Sequence, residues 1–245
     1  MSANDFHPFP SESGSSLEIS VVIPAYDEGA NIASLIYGVR KVLSENEIKF
    51  EILVIDANSS DDTVERAKEA GAQVLVQRQP GYGMALKEGF ERARGKYVIT
   101  MDADLSHDPL YIHKMINVRK NADMIIASRY IPGGKAEMGY FRRFLSVLLN
   151  RMFCFILSLP YRDISSGYRL YNREILKCVA ITSRDFDVLE EILIKVHQQG
   201  FRIVEVPFHY KPRIHGKSHV KLFQFGLSFG RTLWKMWRLR RNPPI

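Results

Sequence analysis

Three features of the sequence predict an α/β fold, a mostly parallel sheet flanked by helices. Apolar runs of strand length alternate with helix-length amphipathic segments through the first half of the chain. Several of those runs stop at carboxylates, as a sheet with a site at its strand ends would. Of 245 residues, 46% are apolar and 25% charged, enough to build a core covered on both faces. The same composition excludes disorder and collagen-like repetition. Two cysteines, Cys154 and Cys178, make no disulfide framework, and a reducing compartment is expected.

The elements follow in order. Leu17 to Pro24 is an apolar run closed by proline, and Asn31 is placed to cap a helix running to about Glu45. Phe50 to Asp56 is a second strand; Asp61 or Asp62 caps the next helix, which Gly71 stops. Gln73 to Gln77, Tyr97 to Met101 and Asp123 to Ser128 read as further strands, with helices near Gly83–Arg94 and Pro109–Asn121. The second half offers an amphipathic helix around Gly139–Leu159, a polar loop from Asp163 to Tyr171, a helix near Val188–Gln199, a strand Arg202–Val206, a basic loop Pro212–Lys221 and a final helix. The expected organisation is a flexible leader over 1–16, one domain over 17–221, and a basic amphipathic helix over 222–245.

Charge is distributed unevenly. The net charge is +7, yet no acidic residue follows Glu205, while nine basic ones do. The body without those nine is slightly acidic, with 25 basic side chains against 27 acidic, so the tail suggests an anionic partner. The first twenty residues lack the apolar centre of a secretory signal, and the stretch Phe144–Pro160 is broken by Asn150 and Arg151, short of the ~20 apolar residues a span needs. Leu222, Phe225, Phe229, Leu233 and Met236 recur at helical spacing beside Trp234, Trp237 and a band of arginines. That pattern predicts an interfacial helix and a cytoplasmic protein peripheral on a membrane.

In open parallel sheets ligands bind beyond the carboxyl ends of the strands. The first strand is followed by Pro24, Tyr26 and Glu28 rather than by a glycine-rich dinucleotide fingerprint, which argues against a dehydrogenase. Asp56 ends the second strand and suits either a ribose or base contact or a plain helix cap. Asp102 and Asp104, one residue apart at a strand end, suit Mg²⁺ or Mn²⁺ completed by substrate phosphates, although such a pair also occurs in ordinary turns. Arg142, Ser146 and Asn150, spaced by four, share one face of an otherwise apolar helix and would suit an amphiphile with an anionic head. Arg213, Lys217 and Ser218 form a basic, glycine-containing loop fit for a phosphate. His209, His215 and His219 have no thiol or carboxylate companions in sequence, so zinc is not expected.

Taken in order, these segments resemble glycosyltransferase family 2 with its GT-A, Rossmann-like fold, and within it the polyprenyl-phosphate (dolichol-phosphate) mannosyltransferases. The resemblance runs from about Ile19 to Phe223. Its most specific piece is Asp102 to Pro109, followed by Ser128-Arg129-Tyr130 with Gly133-Gly134, the Arg142/Ser146/Asn150 set, Gly167 to Tyr171, Glu205 to Pro207 and Arg213 to Ser218. It implies that Pro24, Tyr26, Glu28, Val54 and Asp56 contact the base and ribose of a nucleotide sugar. It further implies that Asp102, Ala103 and Asp104 meet nucleotide and metal, with Ser106 in the place of a further ligand. Arg129, Arg213 and His219 would surround donor and acceptor phosphates; Arg142, Ser146, Arg213 and Ser218 would hold the acceptor's phosphate. The chain departs from the family pattern at Ala57, where a second Asp is usual, at His219, where Lys is usual, and at Ser166-Gly167-Tyr168.

The implied reaction is metal-assisted, inverting transfer of a sugar, with mannose from GDP-mannose the leading expectation, to a polyprenyl or dolichyl phosphate. A lipid phosphate arrives already ionised, with a second pKa near ~6, so it needs no general base. Glu190 and Glu191 precede an apolar helix, and Glu191 matches a family position, without forming an evident base motif. The rival reading is a family 2 transferase of glucose or N-acetylhexosamine from a UDP-sugar to another lipid or saccharide acceptor. A nucleic-acid module is not favoured, because acidic strand ends and the lack of stacking motifs oppose it. A sugar-nucleotide sensor would have no need of Asp104.

Overall fold

The computed structural model describes residues 17–212 and 232–238. Its centre is a seven-stranded sheet built from β1 (Ile19–Ala25), β2 (Phe50–Asp56), β3 (Gln73–Val76), β4 (Tyr97–Thr100), β5 (Met124–Ser128), β7 (Arg169–Asn172) and β8 (Ile203–Pro207). The strand order is β3-β2-β1-β4-β7-β5-β8. All pairs are parallel except those made by β7, which runs antiparallel between β4 and β5. A small parallel ribbon joins β6 (Lys135–Ala136) to β9 (His209–Tyr210).

Strand periodicity divides the core into two layers. Ile19, Val21 and Ile23 of β1, Ile52 and Val54 of β2, and Tyr97 and Ile99 of β4 face α1 (Gly29–Glu45), α2 (Thr63–Glu69) and α4 (Ile112–Val118). The alternate residues Val22, Leu53, Ile55 and Val98 face α3 (Tyr82–Arg92), α5 (Tyr140–Ile156), α6 (Arg173–Cys178) and α7 (Val188–Gln198). On α1 the stripe Ile32, Leu35, Ile36, Val39, Val42 and Leu43 supplies the buried face.

Two local expectations are corrected and a third is sharpened. Asn31 does not cap α1: the helix begins at Gly29, and its first amides are held by the neighbouring loop, with Gly29 N–H donating to Asp61 (3.0 Å) and Glu28 N–H to Thr63 Oγ1 (2.8 Å). The region Pro109–Asn121 is α4 bracketed by two single 3₁₀ turns. The end of the expected polar loop is strand β7, invisible to apolar patterning because it starts with Arg169. That arginine is fully buried, and its guanidinium donates to the carbonyls of Ser166 (2.7 Å), Leu189 (2.7 Å) and Ile164 (2.5 Å). A buried cation is tolerable when every face of its fork is met in this way.

Residues 232–238 are helical. Met236 is buried against the α7 side of the core and Lys235 donates to Asp187 (2.8 Å) and Ser183 (2.7 Å), so this piece of the expected interfacial helix packs on the body. Residues 222–231 and 239–245, like the 1–16 leader, lie outside the described residues. Among the described residues no helix is long and apolar enough to cross a membrane.

Candidate active site

The parallel strands deliver their carboxyl ends to one edge. There the β1 and β2 loops are stitched together: Asp56, almost fully buried, accepts from Ser59 N–H (3.1 Å) and Oγ (2.5 Å), while Asp27 accepts from Ser60 N–H (2.7 Å). Tyr26 stands half exposed at the rim, and Glu28 accepts from Asn31 (2.7 Å). Two expected contacts are relocated. Val54 (0% exposed) and Ala103 (4%) are buried in the core layer under α1, so their side chains belong to the packing beneath the site.

Beyond β4 the chain turns tightly. Leu105 sits in the left-handed region (φ 62°), and Ser106 N–H then closes on Asp104 Oδ1 (3.0 Å). Ser106 therefore meets Asp104 through its backbone. Asp102, partly exposed, accepts from the Tyr82 hydroxyl (3.2 Å), and its own N–H donates to His107 Nδ1 (2.9 Å). Burial and the Asp102 charge push the Tyr82 phenol well above the ordinary tyrosine range. Gly167 approaches this corner closely: a Cβ there would lie 2.8 Å from the Tyr82 oxygen and 3.5 Å from Asp102 Oδ1. Thr100 Oγ1 secures that approach by donating to the Gly167 carbonyl (2.7 Å).

The donor set at this turn fits a hard divalent cation. Asp102 and Asp104 supply carboxylate oxygens, and among the described residues no three His, Cys, Asp or Glu side chains converge into an all-protein cage. Carboxylate oxygens are the donors Mg²⁺ or Mn²⁺ takes, with phosphate oxygens and water completing the shell.

A second corner forms beside it. Asp163, fully buried, accepts from Arg129 N–H (2.9 Å), Nε (2.8 Å) and Nη2 (2.7 Å), and Nη2 also donates to Ser165 (2.9 Å). Three of the five guanidinium N–H groups are thus committed, which makes Arg129 chiefly a structural strut. Burial opposes the Arg129 charge, but Asp163 outweighs it and holds the cation firmly protonated. Glu205 accepts from the backbone of Arg162 and Asp163 (both 3.0 Å), fixing the loop. Ser146 shares a 2.6 Å hydrogen bond with the Tyr130 hydroxyl, and Asn150 ties α5 to the loop through Ile164 N–H (3.0 Å). Arg142 lies exposed at the end of this stripe. Tyr210, on the ribbon strand β9, stacks over Arg129 at 5.7 Å. Burial, with the charges of Asp104 and Asp102, raises its phenol above the ordinary tyrosine range against the opposing charges of Arg142 and Arg129.

Comparison with known proteins places the chain in a family. The family model for glycosyl transferase family 2 matches residues 20–180. The chain belongs to glycosyltransferase family 2. It is 34% identical over 219 residues to a dolichol-phosphate mannosyltransferase of Pyrococcus furiosus, covering 84% of this chain and 60% of that protein. It is 32% identical over 202 residues to the glycosyltransferase AglJ of Haloferax volcanii, covering 82% and 65%. The chain thus spans under two thirds of the length of these relatives. Among solved structures it is similar to glucosyl-3-phosphoglycerate synthase from Mycobacterium tuberculosis in complex with Mn²⁺, UDP and glucosyl-3-phosphoglycerate, with TM-score 0.72, 22% identity and 94% and 82% of the two chains covered. A complex of that synthase with Mg²⁺ and UDP matches at TM-score 0.73 and 20% identity. At these identities the likeness establishes the GT-A fold.

Within this family 2 enzyme the two glutamates of α7 separate in role. Glu191 is enclosed: burial opposes its charge, but donors from Lys195 (2.6 Å), Ser183 N–H (2.6 Å) and Thr182 Oγ1 (2.6 Å) hold it down at about 2. It anchors the Thr182–Ser183 turn. Burial pushes Glu190 up to about 7, against its own backbone N–H and the Arg169 charge. Arg213, Ser218 and His219 lie outside the described residues. The sequence did not announce the pairing of Arg129 with Asp163, of Tyr82 with Asp102 or of Tyr130 with Ser146, although Tyr130 and Asp163 both lie in segments it singled out.

Proposed function

We propose that this family 2 glycosyltransferase moves mannose from GDP-mannose to a polyprenyl phosphate at a membrane surface, with inversion at the anomeric carbon. The observation that carries the lipid acceptor is the orientation of α5. Its polar residues Ser146 and Asn150 turn inward to the site, while Tyr140, Phe141 (73% exposed), Phe144, Leu148, Met152, Phe155 (86%) and Ile156 face outward. The helix has 17 residues, about 25 Å, with Arg142, Arg143 and Arg151 and no acid. An apolar, cationic ridge ending at a polar corner suits a lipid whose headgroup must reach the aspartates. Mannose as the sugar is supported by the 34% identical mannosyltransferase.

In this reading Asp56, Tyr26 and Glu28 hold base and ribose. Asp102 and Asp104 hold Mg²⁺ or Mn²⁺, with Tyr82 and the Ser106 N–H orienting their oxygens. The bound ion supplies neutralisation of the diphosphate charge that develops on departure. Arg142, Ser146 and the basic loop with Arg213, Ser218 and His219 orient the acceptor phosphate, and Arg129 Nη1 adds a donor. An ionised phosphate oxygen attacks the anomeric carbon as its bond to the diphosphate oxygen breaks, giving a phosphodiester and a nucleoside diphosphate. No proton has to leave the nucleophile, which accords with Glu191 being locked in a structural network.

The test is a panel of labelled GDP-mannose, UDP-glucose and UDP-N-acetylglucosamine with polyprenyl phosphate in vesicles, counted in the organic phase. Label from GDP-mannose alone is expected. Label from a UDP-sugar would replace the donor, and no organic-phase label from any donor would overturn the lipid acceptor.

A further inference from the structure

The motif running from Asp102 to Pro109 contains a histidine to which neither the composition nor the family comparison gives work. His107 is 4% exposed and lies flat against Tyr168, centroids 4.9 Å apart at 16°, with Phe208 edge-on at 5.8 Å. Tyr168 is itself tied to the motif, its hydroxyl donating to the Asp108 carbonyl (3.1 Å). The ring is therefore held from both sides and cannot turn freely. In this pose Nδ1 accepts the Asp102 N–H at 2.9 Å. A ring nitrogen that accepts carries no proton, so Nε2 carries it, and Nε2 stands 3.7 Å from Asp102 Oδ2. One imidazole thus grips the backbone of Asp102 and turns its N–H edge toward the same residue's carboxylate. Oδ1 is meanwhile addressed by the Tyr82 hydroxyl at 3.2 Å.

We propose that His107 is a positioning residue for the metal-binding turn. It fixes the backbone of Asp102, and so the direction of its carboxylate, before any cation arrives. The inference rests on the reading of Asp102 and Asp104 as metal-holding residues. Groups outside the ligand shell that orient metal-binding carboxylates commonly govern affinity, and their removal costs about 10–100-fold. A flexible Asp102 would have to be ordered at the moment of binding, and Leu105 at φ 62° shows that the turn is not one the chain adopts without support.

Three variants separate positioning from packing. His107→Asn keeps an acceptor oxygen near the place of Nδ1 and gives up the ring. His107→Phe keeps the ring against Tyr168 and gives up the acceptor. His107→Gln moves the polar end away from Nδ1. Mn²⁺ affinity is read from the free-ion electron paramagnetic resonance signal, with and without GDP or UDP, and thermal midpoints without metal serve as the fold control. The expected result is Mn²⁺ binding weakened about 10–100-fold in Phe and Gln, and within a few-fold of the parent in Asn, whatever the order of the thermal midpoints. Binding that follows ring retention, with Phe like the parent and Asn impaired, would overturn the proposal in favour of packing, as would unchanged affinity in all three. If the parent protein itself fails to bind Mn²⁺ with or without either nucleotide, the metal reading falls and the inference with it.

Discussion

Replacing Asp163 by asparagine should cost about 3–5 kcal/mol of folding stability, the usual penalty for stranding one partner of a buried ion pair. The carboxylate is 0% exposed and Arg129 is 12% exposed, so neither end can recover its loss from water. Asp163 accepts three donors from Arg129 within 2.7–2.9 Å; an amide in its place would turn an NH₂ toward one of them. The remaining amide oxygen would keep only part of this set, and Arg129 would lean more on Ser165 and on its stacking on Tyr130 (5.0 Å) and Tyr210 (5.7 Å). Against a total stability of typically about 5–15 kcal/mol, the loss is readily measured by urea unfolding. The partner change, Arg129→Met, should cost a similar amount by stranding Asp163. The double variant should cost clearly less than the sum, with a coupling of about 1–3 kcal/mol. A cost below about 1 kcal/mol for Asp163→Asn, or strictly additive single changes, would refute the reasoning and restore Arg129 as a ligand-binding group first and a strut second.

Three further outcomes follow from the same geometry. Asp104→Asn should reduce turnover about 10³-fold in metal-saturated assays while leaving the thermal midpoint near that of the parent; full activity of this variant in a chelator would remove the metal from the mechanism. Glu190, raised from 4.5 to about 7, contributes stability that is complete below pH 4.5 and lost as pH rises through 7. Urea unfolding of Glu190→Gln should therefore match the parent at pH 4.5 and exceed it by at most about 3 kcal/mol at pH 8, and equal stability at pH 8 would show the carboxylate to be well solvated. Charging the outer face of α5 with Phe144→Glu and Phe155→Glu should abolish co-sedimentation with anionic vesicles and leave nucleotide binding intact, since both rings are exposed; undiminished sedimentation would move the membrane contact elsewhere.

What the amino-acid order determined was local and periodic. Runs such as Phe50 to Asp56 had to be buried strands, and carboxylates at their ends had to lie at the sheet's ligand edge, because side-chain alternation and the parallel topology leave no other place for them. The order of motifs from Asp102 to Glu205 named the family for the same reason: it records a site strung along one chain. Tertiary structure alone decided the rest. Asp61 and Thr63 cap α1 from another loop, a partnership that no i-to-i+3 pattern encodes. Arg169 begins a central strand because three carbonyls from distant segments meet its fork, and apolar periodicity is blind to such a group. The helix α5 makes the contrast sharpest. Its spacing announces one apolar face and one polar face, but a helical wheel has no inside. Only the buried bonds of Ser146 and Asn150, supplied by Tyr130 and the Asp163 loop, turn the polar face inward and leave the aromatic one to the solvent side.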